Sequence, residues 1–197
     1  MSHSYNNQMA GSVNPRMHNL LASLSLNLAE ECQTAMEGAS ELPASAATAL
    51  LALDEFLGDA HVGRLADVLG LTHSGAVRLV DQLERDGLAE RRAGDDRRRV
   101  QVRLTALGRR TAGAARAARD EVVRQAAGGL DTTEAATLEA LLARLVGARA
   151  EARVALRREG GSGAWWCRTC DFAACGRPEG RCPAQVAAAA VPESGQR

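Results

Sequence analysis

Four of the five cysteines of this chain lie within sixteen residues near its carboxyl end, in the pattern C-x2-C-x4-C-x6-C. They are Cys167, Cys170, Cys175 and Cys182. Four thiolates at such spacing are suitable ligands for zinc, which binds them in a closed tetrahedron and thereby folds short loops. No histidine lies near the motif, so the pattern predicts a structural metal site rather than a catalytic one.

The metal itself has two candidates. Iron-sulfur clusters also use four cysteines with C-x2-C and longer gaps, and Cys182-Pro183 is similar to the Cys-Pro that ends some ferredoxin motifs. We favour zinc narrowly and keep the cluster, whose loss or oxidation would then be a regulatory input, as the alternative. The neighbouring Trp165 and Trp166 are expected to anchor the loop by hydrophobic packing. Cys32 is expected to be a small buried residue of a helix, with a redox-sensing thiol as the alternative.

A second concentration of chemical groups is an arginine-rich stretch between Arg91 and Arg110. It holds eight arginines against two acids, although the formal net charge of the whole chain is 0. A local excess of positive charge is what contacts to nucleic-acid phosphates require.

The elements that carry these arginines are predicted for residues 71–105. A helix begins at Thr72 or His73, where Ser74 can hydrogen-bond the free amides of the first turn, and it ends at Asp86-Gly87. Two short strands follow, 88–92 and 99–104, joined by a loop at 93–96. In the second strand, the residues expected to point inward are Val100, Val102 and Leu104.

A short helix over 61–69 precedes this segment and is joined to it by a tight turn at 70–72. Two short helices linked by a glycine-containing turn are typical of a helix-turn-helix, and a basic two-stranded ribbon makes it a winged one. This is DNA-binding architecture, and its partner is double-stranded DNA. No nucleophile-base pair or phosphate-binding loop is found in the sequence, so we expect no enzyme.

Long helices flank the winged helix, beginning at Pro15 and at about Thr105 and Asp131. A winged helix does not need them, so we expect them to bury their apolar sides against a second subunit in a homodimer. The fold class is mainly α with a small β-wing. The predicted organisation is a disordered tail (1–14), the winged helix with its dimerisation helices (15–158, DNA-binding lobe about 44–104), a linker (159–164), the cysteine motif (165–185) and a disordered tail (186–197).

The sequences HVGRLADVLGLTHSGAVRLVDQLERDGLAERR and GDDRRRVQVRLTALGRR resemble the helix-turn-helix and wing of the MarR family of bacterial regulators. The resemblance covers roughly residues 15–158. It implies a homodimer, most often a repressor, that binds palindromic sites and commonly senses a small-molecule effector. The cysteine motif departs from the family, and a partner-binding module is a further alternative for it.

The resemblance also implies roles for individual residues. The first turns of the recognition helix would reach base edges, where Arg78 could bind guanine and Gly75 leaves room for close approach. Arg98 would enter the minor groove, and Asp96 would orient it. The remaining candidates are Thr72, His73 and Ser74 at the helix start and Arg97, Arg99 and Arg103 as phosphate contacts. No secretory signal or membrane span is found in the sequence, so a cytoplasmic location is expected.

Overall fold

The computed structural model of the protein describes residues 14–93, 100–161 and 163–191. These residues form a mainly helical structure with one small antiparallel sheet of strand order β1-β3-β2, which confirms the predicted fold class. The elements are α1 (Pro15–Ser40), α2 (Ala44–Glu55), β1 (Ala60–His61), α3 (Val62–Leu69), α4 (His73–Arg85), β2 (Ala89–Ala93), β3 (Val100–Leu104), α5 (Ala106–Ala127), α6 (Thr132–Arg158), a single 3₁₀ turn (Trp166–Thr169) and α7 (Pro183–Ala190).

Side-chain caps start three of the helices at the predicted positions, although in α4 the capping hydroxyl is that of Thr72 and not that of Ser74. The hydroxyl oxygen of Thr72 accepts the amide three residues on at 3.1 Å, and that of Thr105 does the same at 3.0 Å. Asp131 and Glu134 form a complete capping box at the start of α6. Each cap satisfies an amide that the first turn of a helix leaves without a partner, so the starts of α4, α5 and α6 are set locally.

The core of the winged helix lies between α2, α3, α4 and the sheet. Its large, fully buried side chains include Leu50, Leu65, Val80, Leu83 and Val102. A second cluster attaches α1 and α5 to the other side of α2 and contains Met36, Ala47, Leu51 and Ala115. The two clusters share α2, which joins the winged helix to the long helices.

Helix α5 approaches the start of β2 closely at Gly108, where an added Cβ would overlap the carbonyl oxygen of Leu88. We expect Gly108→Ala to destabilise the protein by about 1–3 kcal/mol, because a well-packed site must shift to accept the methyl group. The matched control is Gly113→Ala in the same helix, where an added Cβ meets open space. It should be neutral or stabilising by up to about 1 kcal/mol. Urea unfolding measures both, and equal stability of the two variants would contradict this packing.

Three boundaries and one orientation differ from the sequence-based prediction. Ala60 was expected in a turn and His61 at the start of a helix, but the two form β1, which pairs with residues 101–102 of β3; two residues are too few to show a period. The first helix was expected to end at Glu37 but continues to Ser40, and the second was expected to end at Leu57 but ends at Glu55. Val100 was expected to point inward but is 46% exposed. It lies opposite Ala93 at the outer end of the ribbon. The alternation of apolar and polar residues continues there, although the strand has passed the edge of the core.

The carboxyl end also differs. Residues 186–190 were assigned to a disordered tail, yet they complete α7, which begins at Pro183 and is rich in alanine. Ala184 and Cys182 pack against Ala150 of α6, and this contact supports so short a helix. Residues 1–13 of the predicted amino-terminal tail (1–14), the residues of the wing tip and the last six residues lie outside the described residues. The wing-tip predictions concerned are those for Asp96, Arg97, Arg98 and Arg99.

Candidate nucleic-acid interface and cysteine appendage

Helix α4 has one buried side and one exposed side. Ala76, Val80 and Leu83 are fully buried in the core. The exposed positions lie at its amino-terminal end and on its outer side, and they include Thr72, His73, Ser74 and Arg78. The structure therefore leaves free the predicted base-contacting residues at the start of the helix, and Arg78 adds a positive charge there.

Gly75, which the sequence analysis connected with close approach to DNA, also has a local role. An added Cβ would lie 3.1 Å from the hydroxyl oxygen of Thr72, the atom that accepts the Gly75 amide. A side chain at this position would crowd the cap that starts α4.

The turn between α3 and α4 depends on Gly70, which has a φ of 69°. The left-handed conformation is open to glycine at little cost, and it lets the amide of Leu71 donate to the carbonyl of Ala66 at 2.9 Å. An added Cβ at Gly70 would lie 2.6 Å from the backbone nitrogen of Ala164. The segment before the cysteines therefore lies directly against the turn that leads into α4.

The wing is attached to α4 by Arg91 of β2. Its guanidinium forms ion pairs with Asp81, at 2.7 Å, and with Glu84. The Arg91 amide also donates to the Glu84 carboxylate at 2.8 Å. These contacts orient the ribbon relative to the recognition helix. Sequence reasoning counted Arg91 only as part of the arginine run and did not identify this role.

Arg103, a predicted phosphate contact, binds Asp59 instead. Its Nε and Nη2 donate to the two carboxylate oxygens at 2.6 and 2.7 Å, and this hydrogen bonding lowers the pKa of the Asp59 carboxyl. The pair connects β3 to the turn before β1. The phosphate-binding role of Arg103 stays a prediction, and its charge is shared with Asp59.

The cysteine appendage, residues 164–191, is anchored on α3 by Trp165. The Trp165 amide donates to the carbonyl of Val68 at 2.8 Å. Its ring packs against the winged-helix core and lies 4.0 Å from the guanidinium of Arg64. A cation on an aromatic face is attracted by the ring quadrupole, so this contact adds to the hydrophobic anchoring expected for the tryptophan pair.

A second anchor lies on α2 and α5. The rings of Phe172 and Phe56 stack with centroids 5.1 Å apart. The Phe172 amide donates to Glu55 at 2.8 Å, and the same carboxylate pairs with Arg116 of α5 at 2.5 Å. Stacked aromatics and a half-buried ion pair together seat the cysteine loop on the winged helix.

The four appendage cysteines form two adjacent thiol pairs. The Cys170 thiol donates a hydrogen bond to Cys167. This bond and the nearby Arg177 lower the pKa of Cys167 to about 6. The same hydrogen bond raises the pKa of Cys170. Cys182 is 3% exposed and packs in one cluster with Cys167 and Cys175. Among the described residues, no group of three or more histidine, cysteine or acidic side chains is arranged so that it could hold a metal ion.

Cys32 lies apart from this cluster, on α1. Its sulfur is 4.0 Å from the carbonyl oxygen of Arg119 in α5, and burial raises the pKa of its thiol. A raised pKa lowers the thiolate fraction and hence the reactivity, which agrees with a packing role. No helix in the described part of the chain is long and apolar enough to cross a membrane.

Comparison with known proteins agrees with this architecture. The model of the MarR family matches residues 40–99, from the end of α1 to the wing. A comparison with curated proteins finds no match. The matched family is the one that the sequence resembles.

Solved structures extend the likeness to the fold. YusO from Bacillus subtilis has a TM-score of 0.59 and 21% identity, covering 66% of this chain and 92% of its own. A probable transcriptional regulator from Pseudomonas aeruginosa has a TM-score of 0.50 and 28% identity over 66% and 99% of the two chains. A MepR mutant from Staphylococcus aureus, bound to an oligodeoxyribonucleotide, has a TM-score of 0.52 and 20% identity over 67% and 96%. Residues 40–99 of this chain thus match the MarR family, and the solved structures show the same fold.

Proposed function

We propose that the protein is a cytoplasmic, homodimeric repressor that binds palindromic operators in double-stranded DNA. The observation that carries the proposal is the exposed amino-terminal end of α4, where Arg78 lies on the outer side of the helix. The opposite side of α4 is buried in the core. A helix presented in this way can enter a major groove. The oligodeoxyribonucleotide bound to the structurally similar MepR mutant supports DNA as the partner.

In this proposal Arg78 donates two hydrogen bonds to a guanine, a contact that a helix in the major groove makes at its first turns. The neighbouring Thr72, His73 and Ser74 contact bases or nearby phosphates. From the sequence we retain Arg98 for the minor groove, Asp96 for its orientation, and Arg97, Arg99 and Arg103 for phosphates. Two such lobes related by a two-fold axis would read half-sites about 10 base pairs apart.

The direct test is Arg78→Ala. We expect operator affinity to fall about 10- to 100-fold, because a bidentate contact to guanine contributes about 1–3 kcal/mol of discrimination. Fluorescence anisotropy at matched salt measures it, since phosphate contacts make affinity depend on salt. Arg144→Ala removes an exposed arginine of α6 away from the leucine face and should leave affinity unchanged. Equal affinities of the two variants would contradict the role of Arg78.

The homodimer is supported by apolar side chains that a single chain leaves exposed on α1 and α6. On α6 these side chains are between 40% and 52% exposed, and they are Leu138, Leu141, Leu142, Leu145 and Leu156. On α1 they include Met17, Leu20, Leu21, Leu24 and Leu26. Extended apolar surface of this kind marks an interface, and in a homodimer a second copy covers it.

We further propose that Cys167, Cys170, Cys175 and Cys182 bind zinc, with an iron-sulfur cluster as the alternative. Two adjacent thiol pairs on one small loop support the site, and the lowered pKa of Cys167 favours a thiolate. Zinc would cross-link the loop through four thiolates. Elemental analysis and a visible spectrum of protein purified without oxygen distinguish the two: about one zinc per chain without colour, or iron and sulfide with visible absorption.

A second candidate function, sensing through the cysteine site, is favoured by the contact of the appendage with α3. Ala164 touches the turn before α4, and Trp165 is hydrogen-bonded to Val68. A change of metal or redox state would therefore act next to the recognition helix. The two functions are distinguished by measuring operator affinity of the metal-loaded protein and of protein freed of metal by a chelator. Removal of the metal changes the affinity if the site is a sensor, and leaves it unchanged if the site is a structural or partner-binding module.

A further inference from the structure

A cavity of about 380 Å³ lies between the carboxyl-terminal half of α6, the segment that holds the two tryptophans, and α7. Its apolar walls are formed by Ala150, Val154, Trp165, Trp166, Ala184 and Ala188. Pockets that bind small molecules are concave, largely apolar and of this size. Most of this wall comes from the appendage, which lies outside the residues that match the MarR family.

Four arginines line the cavity, and they are Arg153, Arg157, Arg158 and Arg177. The lining contains no carboxylate, and its one acidic group is the thiol of Cys167, to which Arg177 donates a hydrogen bond at 3.9 Å. Within the described residues neither Arg153 nor Arg157 forms an ion pair. Positive charge therefore exceeds negative charge on the wall of this apolar cavity.

Three of the residues that line the cavity each carry a buried polar atom without a hydrogen-bond partner among the described residues. These atoms are the Nε of Arg153, the indole Nε1 of Trp165 and the Oε1 of Gln185. Buried donors are nearly always paired, so each exception calls for an explanation. Two of the three are donors, and a guanidinium and an indole can only donate. The missing partner of these two donors is an acceptor.

We propose that this cavity binds a small organic carboxylate with an apolar body. The carboxylate accepts hydrogen bonds from Arg153 and from the Trp165 indole, and Arg157 and Arg177 complete the positive surroundings. The apolar body lies against Trp165, Val154 and Ala150. Charge-assisted hydrogen bonds to guanidinium supply the head-group affinity, and burial of the body supplies the rest.

The ligand would contact the ring of Trp165, whose amide is hydrogen-bonded to Val68 of α3. The site thus adjoins the contact between the appendage and the DNA-binding lobe. The inference concerns binding of a small molecule and does not depend on which operator the protein recognises.

The test uses the intact 197-residue protein with its native metal content and octanoate as the probe. Both tryptophans of the chain line the cavity, so intrinsic tryptophan emission reports on the site directly. We expect a saturable change in emission with octanoate. Octanamide has the same alkyl chain without the charge, and it should bind at least about tenfold more weakly because charge-assisted hydrogen bonds are about twice as strong as neutral ones.

Arg153→Gln should weaken octanoate binding by at least about tenfold, since it removes a charged donor, and should bring octanoate close to octanamide. Arg144→Gln changes an exposed arginine on the same helix that does not line the cavity; it is the matched control and should bind octanoate like the unaltered protein. If Arg153→Gln alters the circular-dichroism spectrum, Arg157→Gln takes its place. The proposal is overturned by a lack of saturable binding, by equal affinities for octanoate and octanamide, or by equal losses in the Arg153 and Arg144 variants.

Discussion

Replacement of Leu142 and Leu145 by glutamate should convert the protein to monomers and lower operator affinity by at least about 100-fold. These leucines are 46% and 48% exposed on α6 in the single chain, and in the proposed dimer a second copy covers them. Two buried carboxylates without partners would oppose that association. A monomer reads one half-site and loses the gain of about 10²- to 10⁴-fold that linked binding provides. Light scattering measures the mass, and anisotropy measures the affinity.

The matched control places the same charge on the opposite side of α6. Ala136 and Ala140 are exposed, and at 100° per residue they lie far around the helix from the leucines. Ala136→Glu with Ala140→Glu should leave a dimer with unchanged operator affinity. A dimeric leucine variant of normal affinity, or equal dissociation of both variants, would contradict the assignment of the dimer face.

Replacement of Cys167 and Cys182 by serine should abolish metal binding and unfold the appendage. In small cysteine loops the metal supplies most of the folding energy, about 10–16 kcal/mol for zinc in finger peptides at neutral pH. Trp165 would lose its packing on α3, so tryptophan emission should shift to longer wavelength. Metal content and the emission spectrum are measured on the same sample, and circular dichroism should show that α1 to α6 persist.

Cys32→Ser provides the control, because Cys32 lies on α1 and outside the appendage. It should keep the metal content, about one zinc per chain if the four thiolates bind one ion, together with the emission spectrum. Metal-free unaltered protein would contradict the proposed site. So would a double variant that retains both metal and emission.

Local signals account for what the sequence predicted well. The caps Thr72, Thr105 and Asp131 lie within three residues of the amides that they bind, so their pattern is visible in a short window. Helix α4 and the inward-facing Val102 and Leu104 follow from regular apolar spacing. The same spacing misplaced Val100, because alternation in a strand does not show where the core ends.

Contacts between distant segments account for the rest. Asp59 and Arg103 are 44 residues apart, and Glu55 and the Phe172 amide are 117 apart. Neither pair has a spacing that single-sequence patterns can detect. Strand β1 and helix α7 are short and exist because they pair with or pack on other elements. For this reason the sequence did not predict either of them.

The candidate sites also differ in how far the sequence predicts them, according to whether they lie on one continuous segment or between distant ones. The start of α4 could be predicted because a helix-turn-helix is a continuous segment. The cysteine spacing predicted a cluster. The contacts of the appendage with α2, α3 and α5 could not be predicted, because no sequence pattern marks Phe56, Glu55 or Val68 as contact residues. The cavity beside α6 could not be predicted either. Its arginines belong to an ordinary helix, and only the fold brings them to the tryptophans.

The most direct test of the central claim is selection of binding sites by the purified protein from a pool of random double-stranded DNA, in parallel with the Arg78→Ala variant. The account predicts enrichment of a palindrome whose half-sites are about 10 base pairs apart, with a guanine in each half-site whose preference is relaxed in the variant. Absence of any enriched sequence, or an identical motif for both proteins, would contradict sequence recognition through α4.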